Sequence, residues 1–116
     1  MSEEWATAKR VSEEALRLIT GARRFEYGPP EESFAQIARF WAAYLQGRFG
    51  VSVFLTAADV APMMRLLKEA RLCKGIGRYD SLVDLVGYTL LDAEIHRMDG
   101  PAPAAATSRS DQATNG

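Results

Sequence analysis

A chain of 116 residues, 47% hydrophobic and 25% charged, has the length and make-up of one globular domain rather than of a disordered chain. It has no apolar run of the ~20 residues needed to span a bilayer. Fourteen basic against fifteen acidic side chains give a formal net charge of -1, so no overall field draws the chain to nucleic acid or to anionic lipid. Cys73 is the sole cysteine; it excludes an internal disulfide, fits a reducing compartment, and reads as a small core thiol, because His96 is the one histidine available to activate it. The opening Met1-Ser2-Glu3-Glu4-Trp5 is acidic where a secretory signal would be basic and then apolar, so the expected location is the cytoplasm.

The periodicity predicts four helices packed as an all-α, antiparallel bundle. Trp5, Ala8, Val11, Ala15, Leu18 and Ile19 recur at three-and-four spacing and mark a first amphipathic helix from about Ser2 that ends at Gly21. Gly28-Pro29-Pro30 stops the following loop. Pro30 suits the first turn of a second helix, with Glu31 and Glu32 at the positive end of its dipole, and an inner stripe of Phe34, Ile37, Ala38, Trp41, Tyr44 and Leu45 carries it to about Gly47. The segment from Arg48 to Leu55 is too short and isolated for a sheet and reads as a connector.

Thr56, with Asp59 three positions on, has the pattern of a capping box opening a third helix that runs to Cys73 through Val60, Met63, Met64 and Leu67. Gly75 and Gly77 make a tight turn. The fourth helix begins near Tyr79 to Ser81 and extends to about Met98. It is apolar on more than one side, and Leu82, Val86 and Ala93, opposite its charged stripe, point to a homo-oligomer, most simply a dimer. From Gly100 the composition is Pro, Ala, Ser and Thr with no bulky apolar residue, so 1–99 is expected to be the folded domain and 100–116 a disordered tail.

The charges that do not face outward are the informative ones. Arg71 lies one turn beyond Leu67 and two beyond Met64, within the apolar stripe of the third helix, while Asp80, Asp84, Tyr88, Leu91 and Ile95 share one stripe of the fourth. A guanidinium and carboxylates drawn from water need one another, so Arg71 is expected to pair with Asp84 or Asp80. A pair that fixes the hairpin and a ligand site are equally open readings. Asp80 and Asp84, with Glu31 as a third acid, are also a candidate set for Mg²⁺, whose remaining ligands would be waters and phosphates. The loop at Tyr27 and Gly28 reads first as a hydrophobic plug and second as a surface on which a base could stack. Phe34 and Trp41 read as core, and His96 as a surface or helix-end residue. No Ser-His-Asp order, CxxC pair, P-loop or dinucleotide fingerprint occurs.

The stretch from Ile19 to Leu45, with Arg24, Tyr27-Gly-Pro-Pro-Glu31, Phe34, Ile37-Ala38 and Trp41-Ala-Ala-Tyr-Leu45, resembles the opening half of a family of small bacteriophage and prophage proteins without an assigned function. Met63-Met64, Leu67-Lys68, Ala70-Arg71-Leu72, Asp80-Ser81, Val83-Asp84 and Gly87-Tyr88 resemble its closing half. The pattern is also distantly similar to the MazG-type all-α nucleotide pyrophosphohydrolases, which hold Mg²⁺ with paired E-x-x-E and E-x-x-D motifs. The sequence departs from those motifs on the second helix, where Phe34 follows Glu31 and Ala35 follows Glu32 at the third position.

The resemblance implies a MazG-like, phage-type protein that binds a nucleotide or nucleotide-derived ligand, with Lys68, Arg71, Asp80, Asp84, Tyr88 and Tyr27 as ligand-binding residues. The alternatives are a Mg²⁺-dependent nucleoside triphosphate pyrophosphohydrolase using Asp80, Asp84 and Glu31, and a non-enzymatic oligomeric interaction protein acting against a host defence. No catalytic residue or certain cofactor is assigned.

Overall fold

The computed structural model describes residues 4–21 and 28–96, and they form four α-helices and no strand. Helix α1 spans Ala6–Thr20, α2 Pro30–Phe49, α3 Ala57–Cys73 and α4 Arg78–Ile95. Among the described residues no helix is long and apolar enough to cross a membrane. Met1 to Glu3, Tyr27 and the segment 97–116, with the expected tail, lie outside the described residues.

The boundaries follow the local chemistry. Pro30 occupies the first turn of α2, where a missing N–H costs nothing, and Glu31 and Glu32 lie in the same turn. Gly50 ends that helix with a φ of 69°, and its N–H bonds the Gln46 carbonyl. Thr56 and Asp59 form the capping box: the Thr56 hydroxyl accepts from the Ala58 N–H at 3.3 Å, and the Thr56 N–H donates to the Asp59 carboxylate at 2.7 Å. Such a cap contributes about 1 kcal/mol. Pro62 is early enough in α3 for the helix to continue through it.

Helix α4 is the centre of the molecule. It packs along α3 and α1 and touches α2 lightly, α2 packs on α3, and α1 touches neither α2 nor α3. The sequence expectation of a central or interfacial fourth helix is met within the chain. Leu82, Val86 and Ala93, expected at a subunit interface, are all half-buried in the single chain.

The core has two parts. One joins α2 to α3 through buried Phe34, Ala38, Val60 and Ala61, with Ile37, Trp41, Met64, Tyr88, Leu91 and Ile95 packed around them. The other ties α1 to α4, where Ala15 and Val83 are buried. At this junction Gly87 is buried against α1, and a Cβ there would meet the Ile19 side chain at 3.5 Å, an ordinary van der Waals distance. Arg10 caps the same contact, its guanidinium 5.1 Å from the centre of the Tyr79 ring. Phe34 and Trp41 are core residues, as expected, whereas Tyr44 is 65% exposed. Cys73, expected inside, is exposed. The apolar period of α3 does reach it, but among the described residues no other element covers that side of the helix.

Candidate functional site

Among the described residues α1 and α2 do not pack on each other, and between them lies a cavity of about 440 Å³. Among the described residues it is lined by Ala15, Leu18 and Ile19 of α1, Gly28, Pro30, Ser33, Phe34 and Ile37 at the start of α2, Lys68 of α3, and Val83, Asp84, Gly87, Tyr88 and Leu91 of α4. The wall is mostly apolar with a few polar groups on it, and the volume falls within the range of small-molecule sites.

Lys68 and Asp84 supply the charge. Lys68 Nζ lies 3.0 Å from Asp84 Oδ2, with side chains 18% and 36% exposed. The pair therefore sits at the rim, where it is partly shielded from water and still reachable. Tyr88, one turn along α4 from Asp84, adds an aromatic ring and a hydroxyl to the same wall. Three of the six expected ligand-binding residues thus share one cavity.

The other expected residues lie elsewhere. Arg71 does not meet Asp84 or Asp80. Its Nε donates to Ser81 Oγ at 3.3 Å, and Ser81, only 1% exposed, donates in turn to the Ile76 carbonyl at 3.3 Å. The backbone carbonyl of Arg71 accepts from the Lys74 and Ile76 N–H groups. Arg71 therefore fastens the α3–α4 turn. The expected pairing fails on axial register: the short turn at 74–77 sets Arg71 beside Ser81, and one helical turn further along, Asp84 meets Lys68. Asp80 is exposed to solvent, and Glu31 is half-buried in the first turn of α2. Among the described residues no three His, Cys, Asp or Glu side chains gather as a metal site would require, so Asp80, Asp84 and Glu31 do not form the expected set. Tyr27 lies outside the described residues, although Gly28 and Pro30, which follow it, line the cavity.

A second polar cluster closes the far end of α4. Asp92 Oδ2 receives Arg65 Nη1 at 3.0 Å, and Asp92 Oδ1 lies 2.7 Å from His96 Nδ1. His96 is the C-cap of the helix, as its helix-end reading anticipated. A hydrogen bond with the Asp92 backbone carbonyl, reinforced by the Asp92 charge, holds its pKa above the ordinary histidine value.

Residues 10–96 match the family described as a domain of unknown function, DUF6378. The chain belongs to that family. Two phage proteins are similar to this DUF6378 chain. The Gene 55 protein of Mycobacterium phage D29 is 40% identical over 82 residues, 70% of this chain and 50% of the phage protein. The Gene 55 protein of Mycobacterium phage L5 is 40% identical over 74 residues, 64% of this chain and 44% of its own length. The chain spans about half the length of these curated relatives. No solved structure matches it. Every cavity residue of the DUF6378 chain falls inside the matched span. Sequence reasoning missed Ser33, Leu18, Ile19 and Gly87 as lining residues. The spacing that puts Ser33 beside Phe34 and Ile37 on the inner side of α2 was its only signal.

Proposed function

We propose that this phage-type protein is a binding protein of MazG-like helical architecture, whose cavity takes a nucleotide or nucleotide-derived molecule. The observation that supports the reading is the convergence of Lys68, Asp84 and Tyr88 on one largely apolar cavity of about 440 Å³. An aromatic, flat base buries well between Tyr88, Phe34 and Ile37, and desolvating those rings supplies most of the affinity. Lys68 offers three N–H donors to a phosphate or carbonyl oxygen, and Asp84 accepts from a sugar hydroxyl or an exocyclic amine. Because the two are already paired, a ligand that bonds both gives up no neutral surface and leaves no buried charge alone.

Binding is favoured over hydrolysis on the same grounds. A pyrophosphohydrolase needs carboxylates that converge on Mg²⁺, and the acids of the described residues do not gather in threes. The all-α layout supports a MazG-like architecture at the level of fold class.

A thermal-shift screen of nucleobases, nucleosides and nucleotides tests the reading. A ligand at 100 times its Kd adds about 2.7 kcal/mol to apparent stability, a rise of several degrees in Tm. Lys68→Met should abolish the shift for phosphate-bearing compounds, and Tyr88→Leu should weaken it for all. No shift with any base-containing compound, or shifts that both variants leave intact, would contradict the proposal.

A further inference from the structure

Helix α3 carries two apolar faces, and among the described residues only one of them is covered. Val60, Ala61 and Met64 turn toward α2 and α4, and Lys68 reaches Asp84. On the other side Met63, Leu66, Ala70 and Cys73 follow one another at spacings of three and four, and all are exposed. Leu66 is 69% exposed and Leu67, beside it, 50%. Phe54 before the helix and Ile76 after it extend the apolar strip, at 87% and 47% exposure. Single exposed apolar residues need no explanation, but a row of them on one helix is an unfilled contact.

The spacing is that of a two-stranded seam, with Met63 and Ala70 at one core position of the heptad and Leu66 and Cys73 at the other. The flanking positions identify the occupant. Glu69 and Lys74 stand on opposite edges of the strip, both exposed, and among the described residues neither makes an ion pair. In a parallel, in-register pair of identical helices, a residue on the first edge faces the residue five positions later on the partner's second edge. Glu69 and Lys74 are five apart.

We propose that the exposed strip of α3 is a homodimer seam, in which α3 pairs in parallel with α3 of a second copy and Glu69 of each chain meets Lys74 of the other. The two-fold axis generates that ion pair twice. Ala70 at the centre lets the backbones approach closely. The seam lies on the side of α3 away from Lys68, so each copy keeps its cavity open. It also replaces the α4 surface of Leu82, Val86 and Ala93, which the chain half-buries itself.

Sedimentation velocity and thiol cross-linking of the full chain test the seam. The wild-type chain should sediment as a dimer at tens of micromolar, and a short bismaleimide should join two chains through Cys73, the sole cysteine. Leu66→Glu should give a monomer with unchanged helical circular dichroism. Glu69→Lys should raise the dimer Kd by about fivefold, as loss of two exposed ion pairs implies, and Glu69→Lys combined with Lys74→Glu should restore it. The charge exchange leaves the apolar residues untouched, so it reads the seam even if Leu66→Glu perturbs folding. A wild-type monomer, a dimer indifferent to both Leu66→Glu and Glu69→Lys, or a dimer whose Cys73 thiols fail to cross-link would overturn the proposal.

Discussion

Removing Lys68 and Asp84 singly and together measures the contact that organises the cavity rim. At 3.0 Å and an effective dielectric near 20, the Coulomb attraction is about 5 kcal/mol, most of it offset by desolvation and lost side-chain freedom. Exposed pairs contribute up to about 1 kcal/mol, and breaking buried ones costs roughly 3–5 kcal/mol. With side chains 18% and 36% exposed, this pair should fall between, with a coupling of about 1–2 kcal/mol. Urea unfolding of the wild type, Lys68→Met, Asp84→Leu and the double variant gives that coupling directly, provided the m-value stays constant. The double variant should recover most of what either single variant loses. A parallel cycle on Arg71 and Asp84 should give less than about 0.5 kcal/mol, the value for residues that do not touch. A Lys68–Asp84 coupling below about 0.3 kcal/mol, or a larger one for Arg71–Asp84, would refute the hairpin register.

Ser81→Ala should destabilise by about 1–2 kcal/mol, because it leaves the Ile76 carbonyl and Arg71 Nε without the hydroxyl that links them; urea unfolding with no loss would show that the link carries no weight. His96 should titrate above about 6.5, the ordinary value, in an NMR pH series of this single-histidine chain. Because folding raises that pKa, its contribution to stability is fully present below the unfolded value and is lost as pH rises through the folded one. The stability difference between wild type and His96→Gln should shrink across that window, and a midpoint at or below about 6.5 would contradict the Asp92 contacts.

Local signals reported local structure well. Pro30, the Thr56 and Asp59 box and the Gly75–Gly77 turn act within a few residues of themselves, so those helix limits were legible from the sequence, whereas α2 runs past the expected Gly47 to Phe49, where Gly50 stops it, and α1 begins at Ala6 and not at Ser2. The inner face of α4 was legible too, since periodicity alone brings Asp84, Tyr88, Leu91 and Ile95 to one stripe, whereas on α3 Met63 and Leu67 of the expected stripe are exposed and Lys68, outside that stripe, lines the cavity. Axial register was not. A helical wheel holds angle and discards height, so it sets Arg71 and Asp84 on facing stripes although they stand a full turn apart. Cys73 shows a second limit, because an apolar stripe says that a surface wants covering and not which element covers it. The cavity was the least legible feature. It arises from a contact that α1 and α2 do not make, and no window of sequence contains a missing contact between distant helices.

The cavity as ligand site is tested most directly by titrating the ¹⁵N-labelled full chain with each of the four common nucleoside monophosphates and following the amide shifts. The account predicts saturable shifts centred on Leu18, Ser33, Lys68, Asp84 and Gly87, with Met63, Leu66, Ala70 and Cys73 of the exposed strip undisturbed. Shifts confined to that strip, or none at the cavity residues with any of the four, would contradict it.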